Sequence, residues 1–142
     1  MDLDDEVPGA DKTLGEELTT PTKIYSPLMT KLRDDVEFFA HITGGGFKNL
    51  LRVLPPNLYA RLEISEVDPI FKLIQEKLNV PEREMYSVFN MGIGLVVGVK
   101  KENKEDVISK IEKEKEICLD LGSLVKGERK VVINKEIILQ KY

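Results

Sequence analysis

The chain has 142 residues, of which 42% are hydrophobic and 32% charged, the composition of one folded domain with a hydrophobic core. A net charge of −4 without a long basic block disfavours a nucleic-acid partner. The single cysteine, Cys118, excludes an internal disulfide, and its apolar neighbours favour a buried hydrophobic side chain over a nucleophile. Short apolar runs and an acidic N-terminus without a signal-peptide core indicate a cytoplasmic protein with no membrane partner.

The first 25 residues contain two prolines, two glycines and no sustained hydrophobic period. This composition predicts an interdomain linker or extended arm over residues 1–25, with no core element. Such an arm commonly connects two domains, so we expect the native chain to extend further upstream. Residues 26–142 are then predicted to form a C-terminal α/β domain. The acidic cluster within residues 2–6 is better explained as solvated linker than as a magnesium site, and no metal site is predicted.

Hydrophobic periodicity predicts the elements of this domain in chain order. The predicted helices cover residues 26–41, 47–54, 68–78, 81–89 and 103–116, and the predicted strands cover residues 58–64, 93–100, 117–125, 129–133 and 136–140. Ser26 and Asp68 are expected to cap two of these helices, and Asn134 with Lys135 to form a tight turn. Mixed helices and strands without an internal repeat indicate an α+β fold, an α/β sandwich.

Three consecutive glycines, Gly44, Gly45 and Gly46, follow the only histidine, His41, in the stretch "HITGGG". Glycines allow a backbone to approach an anion closely, and Thr43 adds a hydroxyl donor. The triplet matches neither a Walker loop nor the dinucleotide fingerprint. The pattern by itself therefore leaves open a phosphate-binding loop and a structural turn, just as His41 could be a proton carrier or a hydrogen-bonded structural residue.

A second glycine-containing loop, "FNMGIG" at residues 89–94, precedes the apolar run of a predicted strand. The Asn90 amide can donate and accept hydrogen bonds, while Gly92 and Gly94 leave space beside it. A strand entry with bulges would explain the same spacing. If both loops border one sheet, they could face the same cleft.

Several stretches occur in the order found in the aminoimidazole ribonucleotide synthetase family, also called phosphoribosylformylglycinamidine cyclo-ligase. They are "DLDDEVPG", "KTLGEELTTPTKIY", "HITGGG", "RVLP", "MYSVFNMGIGLVV" and "GSLVKGE". The chain resembles the C-terminal half of that family along nearly its whole length. Two departures stand out, because Lys23 replaces an arginine that is common in the family and the segment after the triplet is one residue shorter. Because of the second departure, Asn49 and Arg52 are matched to family positions less firmly than the glycines are.

The resemblance implies a three-layer α/β/α sandwich with a mixed β-sheet. It also implies an ATP-dependent ligase of purine biosynthesis, which closes the imidazole ring of formylglycinamidine ribonucleotide after ATP has phosphorylated the formamide oxygen. ATP and Mg²⁺ would be held mostly by an N-terminal half, with no cofactor residue assigned in this chain. The implied partners are that N-terminal half, the phosphorylated ribonucleotide and a second subunit of a homodimer, and this part alone is expected to be inactive.

In this assignment the substrate-binding residues are Thr43, Gly44, Gly45, Gly46, Asn90, Gly92 and Gly94, and His41 is the candidate catalytic residue. Gly45→Val is expected to abolish substrate binding with little loss of stability. Two alternatives remain open at this point. The chain could be the matching domain of a related enzyme (formylglycinamidine ribonucleotide synthetase, selenophosphate synthetase or a hydrogenase-maturation dehydratase), or a non-catalytic phosphate-binding or assembly module.

Overall fold

The computed structural model describes residues 1–140, so the last two residues of the predicted C-terminal domain, 141 and 142, lie outside the described residues. The α-helices are α1 (Leu14–Thr19), α2 (Ser26–Leu32), α3 (Pro69–Leu78), α4 (Glu82–Val88) and α5 (Lys104–Lys113). The strands are β1 (Phe38–His41), β2 (Leu58–Leu62), β3 (Leu95–Gly98), β4 (Gly122–Lys126), β5 (Val131–Ile133) and β6 (Ile137–Leu139), and two 3₁₀ helices cover Gly46–Arg52 and Lys101–Asn103.

The strands form two sheets. A four-stranded sheet has the order β4-β2-β5-β6, in which β2 and β5 are parallel and the other neighbours antiparallel. The second sheet is an antiparallel ribbon of β1 and β3. The predicted α+β class, with helices packed on a mixed sheet, is confirmed.

The main core lies where the first 3₁₀ helix and α4 pack against each other and against β5 and β6. Phe47 and Tyr86 are buried at the centre, and their rings meet edge to face with centroids 5.7 Å apart. Such a pair adds electrostatic complementarity to the large apolar area that both rings bury. Burial of the 3₁₀ helix fixes the segment that follows the glycine triplet.

The first predicted helix, residues 26–41, is wrong in its second half. Helix α2 ends at Leu32, the chain turns, and residues 38–41 form β1 paired with β3. Helical spacing of apolar residues continues past Leu32, but the aromatic run at 38–39 is better satisfied by pairing with a distant strand. Ser26 is not the cap either, because Tyr25 occupies that position and no side chain caps the helix.

Two other predicted elements differ clearly in type or length. Residues 46–52 form a 3₁₀ helix where an α-helix was predicted. The predicted strand 117–125 begins only at Gly122, because β4 pairs with β2 from that residue onward. Cys118 is half-buried beside the cluster of Leu32, Val107 and Ile111, and burial raises the pKa of its thiol, in agreement with a hydrophobic role.

The N-terminal segment does contain a core element, contrary to the prediction. Val7 is buried in a small cluster with Ile70 and Leu73 of α3. Thr13 and Glu16 form a capping box at the start of α1, in which each residue's side chain accepts a hydrogen bond from the other's backbone amide. The segment is therefore anchored on α3, while its role as a connection between two domains stays a prediction.

Two ion pairs connect the end of the N-terminal segment and α2 with the residues that follow α5. Lys23, which stands where the resembled family commonly has arginine, pairs with Glu116 after α5. Lys31 of α2 pairs with Glu114 at 2.6 Å. These pairs lie at the surface, where each contributes little to stability.

The predicted turn at Asn134 and Lys135 is confirmed, since both residues have positive φ angles, 51° and 66°. The Asn134 side chain also accepts a hydrogen bond from the Ile64 amide at 2.7 Å and donates one to the Ile64 carbonyl at 3.1 Å. The Asn134 side chain therefore satisfies both backbone groups of Ile64, just beyond the end of β2, as a neighbouring strand would.

We expect Asn134→Ala to lower the free energy of unfolding by about 1–3 kcal/mol, because the half-buried backbone groups of Ile64 lose their partners. Urea unfolding monitored by circular dichroism measures the change. Exposed Asn57 offers the control, and Asn57→Ala should change stability by no more than roughly 0.5 kcal/mol. Equal stability of the Asn134→Ala and natural proteins would contradict the role given to these two hydrogen bonds.

Asp68 precedes α3 as predicted, but its carboxylate makes no capping hydrogen bond. Burial raises the pKa of this carboxyl, and the charge of Glu17 raises it further. Because the pKa of Asp68 is higher in the folded state, ionisation of this carboxyl lowers the free energy of unfolding at pH values above the folded-state pKa. Below the ordinary value of 3.8 the carboxyl is protonated in both states, and the loss of stability disappears.

Asp68→Asn should therefore raise the melting temperature at neutral pH, and the gain should shrink as the pH falls through the carboxyl's titration range. Thermal unfolding of both proteins between about pH 3 and pH 7 tests this, since that range spans an ordinary and a raised carboxyl pKa. A gain that is the same at every pH would show that ionisation of Asp68 is not its cause.

Candidate functional site

The β1–β3 ribbon brings the two glycine-containing loops together. The first loop, residues 43–46, follows β1, and the second loop, residues 90–94, precedes β3. His41 pairs with Leu95 at the end of the ladder, and the Ile42 amide continues the pairing with a 2.9 Å hydrogen bond to the Gly94 carbonyl. All the site residues predicted from the sequence therefore lie at one end of this ribbon.

The first loop is a tight turn with two left-handed residues. Gly45 and Gly46 have φ angles of 95° and 52°, and the Gly46 amide donates to the Thr43 carbonyl at 2.9 Å. Gly46 is buried, and a Cβ placed on it would lie 2.3 Å from the Tyr86 carbonyl oxygen. Gly46 is thus required for packing against α4.

The other side of the first loop is open. Thr43 and Gly44 are exposed, and a Cβ on Gly44 would meet no atom within 4 Å. Gly45 differs from Gly44 because its left-handed backbone strains any residue with a side chain. The expectation that Gly45→Val would leave stability nearly unchanged is therefore wrong, and Gly44 is the better position for a functional test.

The Asn49 side chain holds this loop from inside. Its Nδ2 atom lies 2.9 Å from the Gly46 carbonyl oxygen, 3.3 Å from that of Gly44 and 3.5 Å from that of Thr43. The residue is only 7% exposed. Sequence reasoning did not include Asn49 among the site residues, since its neighbours Lys48 and Arg52 are also polar and nothing local marked its side chain as buried.

The second loop is closed by its own asparagine. The Asn90 side-chain oxygen accepts from the Gly92 amide at 2.9 Å, and the Asn90 carbonyl accepts from the Ile93 amide at 2.9 Å. Met91 and Gly92 take φ angles of 56° and 99° in this turn. A Cβ on Gly92 would lie 2.6 Å from the Asp68 carboxyl carbon, so a side chain at position 92 would collide with Asp68.

His41 and Tyr25 adjoin the junction of the two loops. Their rings meet edge to face, with centroids 5.4 Å apart, and the His41 side chain is exposed. The Tyr25 hydroxyl packs against Gly94, where a Cβ would lie 2.0 Å from the oxygen. Burial raises the pKa of the Tyr25 hydroxyl above its ordinary value of 10.0. Tyr25 belongs to this constellation but was missed, because only the fold places the end of the arm beside Gly94.

Residues 1–140 include no group of three or more His, Cys, Asp or Glu side chains placed to hold a metal ion. The donor set of the described chain therefore does not fit a resident Mg²⁺ ion, and we derive no step through a metal for these residues. In the same residues no helix is long and apolar enough to cross a membrane.

The chain is similar to known proteins over most of its length. The profile of the family described as "AIR synthase related protein, C-terminal domain" matches residues 1–135. Phosphoribosylformylglycinamidine cyclo-ligase of Carboxydothermus hydrogenoformans is 44% identical over 128 residues, covering 87% of this chain and 37% of the relative. The enzyme of the same name from Bacillus cereus strain B4264 is 45% identical over 119 residues, covering 80% of this chain and 34% of the relative.

The chain thus spans little more than a third of the length of the curated relatives it matches. The matched family region includes both glycine-containing loops, Asn49 and Tyr25. By this match, the chain belongs to the AIR synthase related protein, C-terminal domain family.

Proposed function

We propose that this chain is the C-terminal part of an ATP-dependent cyclo-ligase that converts formylglycinamidine ribonucleotide to aminoimidazole ribonucleotide in purine biosynthesis. Membership of the family and the names of its relatives support the proposal. The observation that carries it is the convergence of the two glycine-containing loops at one end of the β1–β3 ribbon. Exposed backbone at such a junction can surround a phosphate without a large positive charge.

Thr43, Gly44 and Gly45 would bind the substrate phosphate with hydroxyl and backbone donors, while Gly46 keeps the loop against α4. The second loop, with Asn90, Gly92 and Gly94, would form the adjoining wall. The Asn90 oxygen accepts from Gly92 and keeps a second lone pair, while the amide nitrogen would be the donor that this side chain offers to a phosphate.

His41 is exposed beside the Tyr25 ring and would orient the substrate or move a proton at the reacting centre. It is the only histidine of the chain, and histidine is the residue type that most often transfers protons in catalysis. The short connection from His41 to the first loop would keep this ring close to a bound phosphate.

The remaining parts of the reaction would come from elsewhere in the native protein. An N-terminal half would hold ATP and Mg²⁺; ATP would supply the phosphoryl group that activates the substrate oxygen, and Mg²⁺ would neutralise charge on the phosphates. We further propose that the full-length protein is a cytoplasmic homodimer and that the present part alone is inactive. Partial coverage of the relatives supports the need for a second part.

The proposal is tested by mixing this chain with the N-terminal part of the Carboxydothermus hydrogenoformans relative that it does not match. With formylglycinamidine ribonucleotide, ATP and Mg²⁺ present, we expect aminoimidazole ribonucleotide to form only when both parts are present. Chromatography of the ribonucleotides measures the product, and each part alone is the control. Calorimetry of the mixture should also show ribonucleotide binding, and its absence together with absent turnover would refute the cyclo-ligase assignment.

Gly44→Ala and Gly46→Ala separate binding from packing within the triplet. The added methyl group on Gly44 enters the open side of the loop, so we expect ribonucleotide affinity to fall roughly tenfold with little change in melting temperature. Gly46→Ala meets the Tyr86 carbonyl and should lower stability by at least about 1–3 kcal/mol. If a folded Gly44→Ala protein binds the ribonucleotide with unchanged affinity, the loop has a structural role only.

A further inference from the structure

Asn49 is a buried polar side chain in a 3₁₀ helix that supplies core residues. Phe47, Leu50 and Leu51 of the same helix are buried and apolar. An amide in such a place costs free energy unless its hydrogen-bonding groups are satisfied. Here the Nδ2 donors are satisfied by three carbonyls of the first glycine-containing loop.

These contacts set the direction of consecutive peptide groups. In a trans peptide the carbonyl of one residue and the amide of the next point in opposite directions. The peptide bonds of the described residues are all trans. With the Thr43 and Gly44 carbonyls turned toward Asn49, the amides of Gly44 and Gly45 are turned away from it, toward the exposed side of the loop.

Among the described residues, neither of these two amides donates to a backbone oxygen. Successive outward amides in a turn with a left-handed residue form a concave site for an anion. Glycine has little preference among backbone conformations, so the triplet by itself would not hold its peptide planes in this orientation. Asn49 removes that freedom from the interior side.

We propose that Asn49 is a positioning residue, which aligns the Gly44 and Gly45 amides for the substrate phosphate by binding the Thr43, Gly44 and Gly46 carbonyls. The inference rests on the proposed function of the loop and adds the group that shapes it. Asparagine suits the task because its amide nitrogen offers two hydrogens to carbonyl oxygens, whereas an aspartate at neutral pH offers none. Asn49 itself does not contact the ligand.

The experiment compares natural protein with Asn49→Asp and Asn49→Ala by amide NMR during titration with ribose 5-phosphate. In the natural protein we expect the Gly44 and Gly45 amide signals to shift with ligand. In both variants affinity should fall roughly tenfold or more, since the carbonyls lose their donor and the loop loses its alignment. Thr13→Ala is the matched control, because the Thr13 side chain also binds a backbone group but lies in the capping box of α1.

The control separates positioning from general stability. Thr13→Ala should lower the melting temperature while its ribose 5-phosphate affinity stays within roughly twofold of the natural value, because the capping box belongs to the N-terminal segment packed on α3 and effects at separate sites add. If Asn49→Asp does not fold, the comparison uses Asn49→Ala, which places no charge in the core. Folded Asn49 variants that bind as the natural protein does would overturn the positioning role alone. A natural protein whose Gly44 and Gly45 signals do not respond to ribose 5-phosphate would instead overturn the proposed phosphate site.

Discussion

The antiparallel pairing of β1 with β3 is the constraint on which the candidate site depends. It places His41 opposite Leu95 and continues through the hydrogen bond from Ile42 to Gly94. Residues from two distant parts of the chain thereby meet at one end of a two-stranded ribbon. The last part of the N-terminal segment joins them there, where Tyr25 contacts both the His41 ring and Gly94. Without this ladder the two loops would be unrelated turns.

The first loop divides its glycines between two tasks. Gly46 faces inward, where the Tyr86 carbonyl leaves no room for a side chain, and Gly44 faces open space. Asn49 lies between these two sides and fixes the carbonyls from within. In the function we propose, a phosphate on the open side would meet backbone amides held by the core, so the acidic chain would not need a basic side chain there.

Sequence reasoning succeeded where local patterns and the final contacts agree. Helix α3 follows its apolar stripe, and the turn at Asn134 takes the left-handed backbone that asparagine tolerates. Reasoning failed at residues 38–41, where helical periodicity continued but strand pairing prevailed. It also missed Val7, whose burial depends on a surface that α3 provides. Each error involves a contact with a distant segment, which a local pattern does not contain.

Composition and motif order alone determined the α+β class, the family resemblance and the glycines, histidine and asparagine that could form a site. The tertiary structure decided which of these residues come together and which way they face. It also brought in Asn49 and Tyr25, whose roles arise from contacts with the two loops. The physical reason is that residue type is written in the sequence, whereas the direction of a peptide group or a ring is set by packing against residues far along the chain.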